Sequence, residues 1–185
     1  MTVDTNSLLK ESTTRLQDLG WIASSDEANF PRFEKLMTDT AVSFCYQLIQ
    51  HDAGGTLAFI AQVTSPKFCA AFGAVANTKF NDIGIAHKSF RVALQTPKVD
   101  DVVQLSHAIE GWGTRVDAAM EITALACRKS TKTHDNLKHF AALGLKGDAA
   151  QLETYLTIAN QDLGRFGKAG PQQIEAALAI AASRS

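Results

Sequence analysis

Proline is scarce, with four in 185 residues. A chain with so few helix breakers can sustain many helices. Charge is also modest. Asp, Glu, Lys and Arg make up 20% of the residues, and the formal net charge is −1. A protein that neutralises many phosphates needs a basic face, so this balance disfavours nucleic acid as a partner. No apolar run approaches the roughly 18 residues of a membrane-spanning helix, so no membrane span is expected. Met1 to Ser7 is polar and lacks a basic stretch followed by an apolar core, so no signal peptide is expected.

Cysteine is equally sparse. Cys45, Cys69 and Cys127 lie far apart, in an odd number and without the spacing of a zinc or redox motif. The expectation is three small buried hydrophobes in a cytoplasmic or other reducing compartment.

Signatures of catalysis are missing too. HExxH, GxSxG, the P-loop and GxGxxG do not occur. The histidines are His51, His87, His107, His134 and His139, and no two are three or four residues apart. Glu-x-x-His, which a di-iron helical site would use, is absent. The expectation is therefore no metal site, no catalytic residue and no enzyme. Lys129, Lys132, His134, Lys138 and His139 form a basic run that reads as a solvated helix end. Asp117 and Glu121 share a helix face at i, i+4 and repel mildly. Gly164, Gly167 and Gly170 read as a flexible link.

What the chain does have is apolar content, at 45%, and abundant alanine. Helix punctuation recurs along it. A first helix is expected from Ser7 to Leu19, closed by Gly20. Ser25, with Asp26 and Glu27, reads as the start of the next. Phe33, Leu36, Met37, Thr40, Phe44 and Leu48 repeat near 3.6, giving a long helix from Pro31 to Gln50 that ends at Gly54-Gly55. Thr56 to Val63 fits a strand on periodicity alone but is read as helix from its flanks. Ser65-Pro66 begins another helix. Further helices are read over Ile83–Leu94, Val99–Glu110, Thr114–Cys127 and Leu137–Leu143, then after Asp148 and after Pro171. The expected fold is all-α: a single domain over 1–185 of seven to ten helices, as an irregular bundle or globin-like, with flexible ends at 1–6 and 183–185.

Two stretches carry a family likeness. One is Ser65-Pro66-Lys67-Phe68-Cys69-Ala70-Ala71-Phe72, continuing through Gly73 to Lys79. The other is Leu145-Lys146-Gly147-Asp148, continuing through Ala149 to Leu156. Together they resemble one half-unit of the peridinin–chlorophyll protein family. The second stretch is also similar to the end of a phycobiliprotein chain, a globin-related fold. Where the first family places the histidine that serves the chlorophyll magnesium, this chain has Asn77-Thr78. The resemblance implies pigment binding, with the Asn77 carbonyl as a hard oxygen donor.

His87 and His107 sit in apolar surroundings, Ile85-Ala86-His87-Lys88 and Leu105-Ser106-His107-Ala108. An inward imidazole can ligate a porphyrin metal, though a core or surface histidine is the plainer reading. Ten phenylalanines could surround a flat cofactor or simply fill a core. The leading expectation is a non-enzymatic binding protein for a hydrophobic, tetrapyrrole-like ligand, contacted by Asn77, His87 and His107. The alternative is a structural or assembly subunit, such as a filament, shell or scaffold protein, self-associating through apolar patches.

Overall fold

A computed structural model describes residues 4–25, 31–52, 54–79, 82–128, 130 and 132–184. The elements in chain order are α1 (Thr5–Asp18), β1 (Ile22–Ser25), β2 (Pro31–Leu36), β3 (Ala41–His51), β4 (Gly54–Thr64) and α2 (Pro66–Ala76). Then come β5 (Gly84–Leu94), α3 (Val99–Gly113), α4 (Ala118–Cys127), α5 (Thr133–Lys146), α6 (Ala149–Gln161) and α7 (Pro171–Ala182). The chain is therefore mixed α/β, with a five-stranded sheet. This corrects the all-α expectation and with it the helical-bundle and globin-like architectures.

Three segments expected as helices are strands. Pro31–Gln50 is a hairpin, β2 and β3, turned at 37–40, where the Met37 amide donates to the Thr40 carbonyl. Thr56–Val63 lies in β4, and Ile83–Leu94 is essentially β5. Val42, Phe44, Tyr46 and Leu48 do alternate in β3, as do Leu57, Phe59, Ala61 and Val63 in β4. The intervening positions hold Ala41, Cys45, Ala58 and Ile60, so both faces are apolar and the period of two is blurred. Gly54-Gly55 marks a strand start rather than a helix end. Gly54 has φ +142°, and a Cβ there would collide with the Leu94 carbonyl. Of the helix start expected at Ser25–Glu27, Ser25 ends β1, while Asp26 and Glu27 lie outside the described residues. Residues 1–3 and 185 of the expected flexible ends, and Lys129 of the basic run, also lie outside them.

The helix signals fare better. Gly20, at φ +85°, follows the Leu19 cap of α1. Pro66 and Pro171 open α2 and α7, and the Asp148 carboxylate accepts from the Gln151 amide at the start of α6. Asp117 caps α4 by accepting from the Ala119 and Met120 amides, which accounts for its closeness to Glu121 without a cation.

The chain forms two compact units. The sheet unit, Met1–Val63 with Ala86–Val116, carries the sheet in the order β1-β2-β3-β4-β5 together with α1 and α3. β1–β2 and β2–β3 pair antiparallel, with Phe33 opposite Phe44 and Ile22 opposite Glu34. One face of this sheet presents Phe33, Phe44, Tyr46 and Phe59, whose rings stack at 5.0–6.5 Å, with Trp21 edge-on to Phe44 at 4.8 Å. Helix α3 lies on that face, with Gly113 directly over Val42. Lys35 ties the helix to the strands: Nζ pairs with Glu110 at 2.7 Å and donates to the Leu19 carbonyl at 3.1 Å.

The helical unit, Thr64–Ile85 with Asp117–Ser185, gathers α2, α4, α6 and α7 around α5. Phe140, Ala141, Ala142, Leu143 and Gly144 of α5 are fully buried. Gly144 lets α7 come close, because a Cβ there would lie 2.8 Å from the Ala177 carbonyl oxygen.

Candidate functional site

The helical unit contains a cavity of about 670 Å³. Helix α5 contributes Asn136 and His139, one turn apart on one face. Helix α6 contributes Tyr155 and Ile158 in the same way. Arg165 and Phe166 come from the link after α6, and Ser130 from the link before α5.

Two polar walls are buried: Asn136 is 2% exposed and His139 is 4% exposed. Both are held. The Asn136 amide donates to the Phe166 carbonyl at 3.1 Å, which fixes the 162–170 link against α5. His139 Nδ1 lies 3.0 Å from the Leu125 carbonyl, which can only accept, so Nδ1 carries the proton. His139 Nε2 lies 3.2 Å from the Tyr155 hydroxyl, which in turn accepts from Gln151 Nε2 at 2.7 Å. With Nδ1 as donor, the chain of contacts runs from Gln151 through Tyr155 and His139 to the Leu125 carbonyl. Leaving one of these buried groups without its partner would cost ~1–3 kcal/mol.

The apolar wall is aromatic. Tyr155 and Phe166 rings lie 5.2 Å apart and His139 and Tyr155 5.5 Å apart, with the fully buried Phe140 behind at 5.4 Å from Phe166. Such a wall favours a flat guest, because stacked or edge-on rings gain beyond the area they bury. Beside the cavity, burial and the Lys138 charge lower the His134 pKa, against the pull of Asp135. Burial likewise lowers Lys138, which donates from Nζ to the Gly84 carbonyl.

None of Asn77, His87 and His107 lines this cavity. Asn77 belongs to the helical unit and stops α2 in the left-handed region, at φ 52° and ψ 51°. Asn reaches that conformation more easily than most residues, which is a sufficient reason for its presence. Its side chain is exposed, on a separate shallow groove beside Cys69 and Lys79. His87 is exposed on β5, a strand and not an apolar helix. His107 is exposed on α3, with Nδ1 4.0 Å from Glu110. His139, read from the sequence as part of a solvated basic run, is a buried wall of the cavity. Cys69 is buried, Cys45 half-buried and Cys127 exposed, and none of the three is in a disulfide. No group of three or more His, Cys, Asp or Glu side chains gathers in metal-holding fashion among the described residues. No helix among them is long and apolar enough to cross a membrane.

Residues 8–165 match a protein family described as "Family of unknown function (DUF6990)". The chain belongs to that family. The matched span takes in every cavity residue except Phe166. No curated protein and no solved structure matches the chain significantly.

Proposed function

We propose that this DUF6990 chain is a non-enzymatic binding protein that holds a small, flat organic molecule in the cavity of its helical unit. The observation that carries this reading is the cavity itself. At about 670 Å³, with a wall of rings and a few fixed polar groups, it has the size and lining of a ligand site. Binding is favoured over catalysis because His139 directs both ring nitrogens at protein partners, so the imidazole shapes the wall. For the same reason a metal-bearing tetrapyrrole is a poorer guest than a metal-free ring system, since His139 turns no nitrogen lone pair toward it.

The test is a titration of the whole chain with 2-naphthamide, a neutral flat probe, read by calorimetry and by the shift in melting temperature. Ile158→Trp, which fills the cavity from α6, should abolish the shift while leaving the circular dichroism spectrum intact. Equal binding by the wild type and this variant would place the probe elsewhere and sink the reading.

The second reading is an assembly subunit, and it has one specific support. Ile22, Leu36 and Ile60 are 55%, 67% and 61% exposed. All three lie on the sheet face opposite the aromatic cluster: Ile22 and Leu36 by register with Glu34, and Ile60 as the neighbour of inward Phe59. If this face joins copies of the chain, Leu36→Lys should lower the mass measured by light scattering. A wild-type chain that stays monomeric at high concentration removes the idea.

A further inference from the structure

Among the described residues that line the cavity, Arg165 carries the one fixed charge, and none is a carboxylate. Among the described residues, neither nearby acid pairs with Arg165. Asp135 accepts from the Ser130 hydroxyl at 3.0 Å, and Asp162 Oδ1 accepts from the Gly164 amide at 3.0 Å. Among the described residues the Arg165 guanidinium has no hydrogen bond and no ion pair. The link that carries Arg165 is nonetheless anchored. Asn136 holds the Phe166 carbonyl, and the Lys168 amide donates to Thr133 Oγ1 at 2.9 Å. A cation is thus mounted on a fastened loop at the mouth of a ring-lined cavity, with its donors unused.

We infer that the ligand is an aromatic carboxylate, its ring against Tyr155, Phe166 and His139 and its carboxylate paired with Arg165. This rests on the cavity being the binding site, and it adds the chemical class. A guanidinium offers two parallel N–H donors that match the two oxygens of a carboxylate. A flat ring bearing that group would satisfy the stacking wall and the cation together. Neutral rings would use only the wall, and aliphatic acids only the cation. Ser130 and Asn136 stand at the same cavity as polar groups able to set the ring's orientation.

The experiment compares 2-naphthoate with its neutral amide on the full-length chain, in wild type and in Arg165→Met. The carboxylate should bind about tenfold or more tightly than the amide, the difference expected of one charge-assisted pair. Added salt should shrink that difference, because Arg165 is exposed. Arg165→Met should remove the preference by bringing carboxylate affinity down to that of the amide, whereas Arg165→Lys should restore part of it. Equal binding of carboxylate and amide by the wild type would overturn the carboxylate class while leaving the cavity reading intact. A preference that survives Arg165→Met would overturn the role of Arg165. If neither compound binds at about 1 mM, which corresponds to only ~4 kcal/mol of affinity, both readings fall.

Discussion

The two units each hold a cluster of aromatic rings, and the clusters differ in what their polar atoms do. In the sheet unit Trp21, Phe33, Phe44, Tyr46 and Phe59 are all 7% exposed or less and close on one another. There, among the described residues, Ser12 Oγ, Trp21 Nε1 and Tyr46 OH are buried without a hydrogen-bond partner in good geometry. In the helical unit the rings of Tyr155 and Phe166 are only half-buried, and the polar atoms beside them are wired in sequence from Gln151 to the Leu125 carbonyl. The first cluster is a core that tolerates polar atoms. The second is a wall whose polar atoms are placed, as a binding surface requires. A count of aromatic residues cannot separate the two. Their exposure and their hydrogen bonds do.

The largest test of this contrast deletes a ring from each cluster. Phe44 touches Trp21, Phe33, Tyr46 and Phe59, so Phe44→Ala should cost ~3–5 kcal/mol in denaturant unfolding. Phe166 faces the cavity, so Phe166→Ala should cost less than half as much and should weaken probe binding instead. Equal losses from the two would mean that the helical cluster is also a closed core. Next in size is Gly144→Ala. Its Cβ would press on the Ala177 carbonyl, a backbone atom that cannot swing aside, so ~1–3 kcal/mol is expected in the same measurement. An unchanged midpoint would show that α5 and α7 separate freely.

The hydroxyl pair sharpens the contrast further. Tyr155→Phe removes a group that accepts from Gln151 and bonds His139, and should cost about 1 kcal/mol. Tyr46→Phe removes a buried hydroxyl that completes no bond, so stability should hold or rise by up to ~1 kcal/mol. Burial raises the Tyr46 phenol pKa, with the nearby Ser12 hydroxyl pulling the other way. A loss of 1 kcal/mol or more in Tyr46→Phe would show that these two hydroxyls do pair in solution.

How much of this was legible in the sequence divides along the same line. Several helix ends were readable from a local signal, as at Gly20, Pro66, Asp148 and Pro171, whereas α4 begins at the Asp117 cap and not at Thr114, and α5 runs past Leu143 to Lys146. Strands were not. Ala41, Cys45, Ala58 and Ile60 put apolar groups on the second face of β3 and β4, and a helical repeat could be threaded through Phe33, Leu36, Phe44 and Leu48 by skipping the alternation. The cavity was legible only in fragments. Asn136 and His139, spaced i, i+3 on a helix with Phe140, mark a polar stripe beside a core residue. Nothing local announces that Tyr155 and Phe166 arrive opposite them, because helix packing decides that. The histidines that attracted notice, His87 and His107, lie on exposed faces, while His139 was hidden within a run of charged neighbours.

The smallest effect concerns pH and again belongs to the helical side. His134 sits 5.5 Å from the Phe72 ring, and burial first, then the Lys138 charge, lowers its pKa below the ordinary 6.5. The folded state therefore resists protonating a residue that the unfolded chain protonates readily. The sign follows from linkage: the unfolded state binds more protons, so stability rises with pH across this window. His134 imposes no penalty above pH 6.5. As pH falls through 6.5 toward the folded-state pKa, stability should drop, and it should level off once both states are protonated. His134→Asn should flatten that fall below the ordinary 6.5 without altering stability at pH 8 beyond the change of side chain. Tyr46 is the one ionisable side chain of the sheet cluster and burial raises its pKa, away from this range, so variants in that cluster should leave the acid slope as it is. Melting temperatures at four or five pH values for wild type, His134→Asn and Phe44→Ala would decide the matter. If Phe44→Ala flattens the slope and His134→Asn does not, the acid response belongs to the sheet unit, and the pairing of polar atoms in the helical unit is not what makes that unit sensitive to charge.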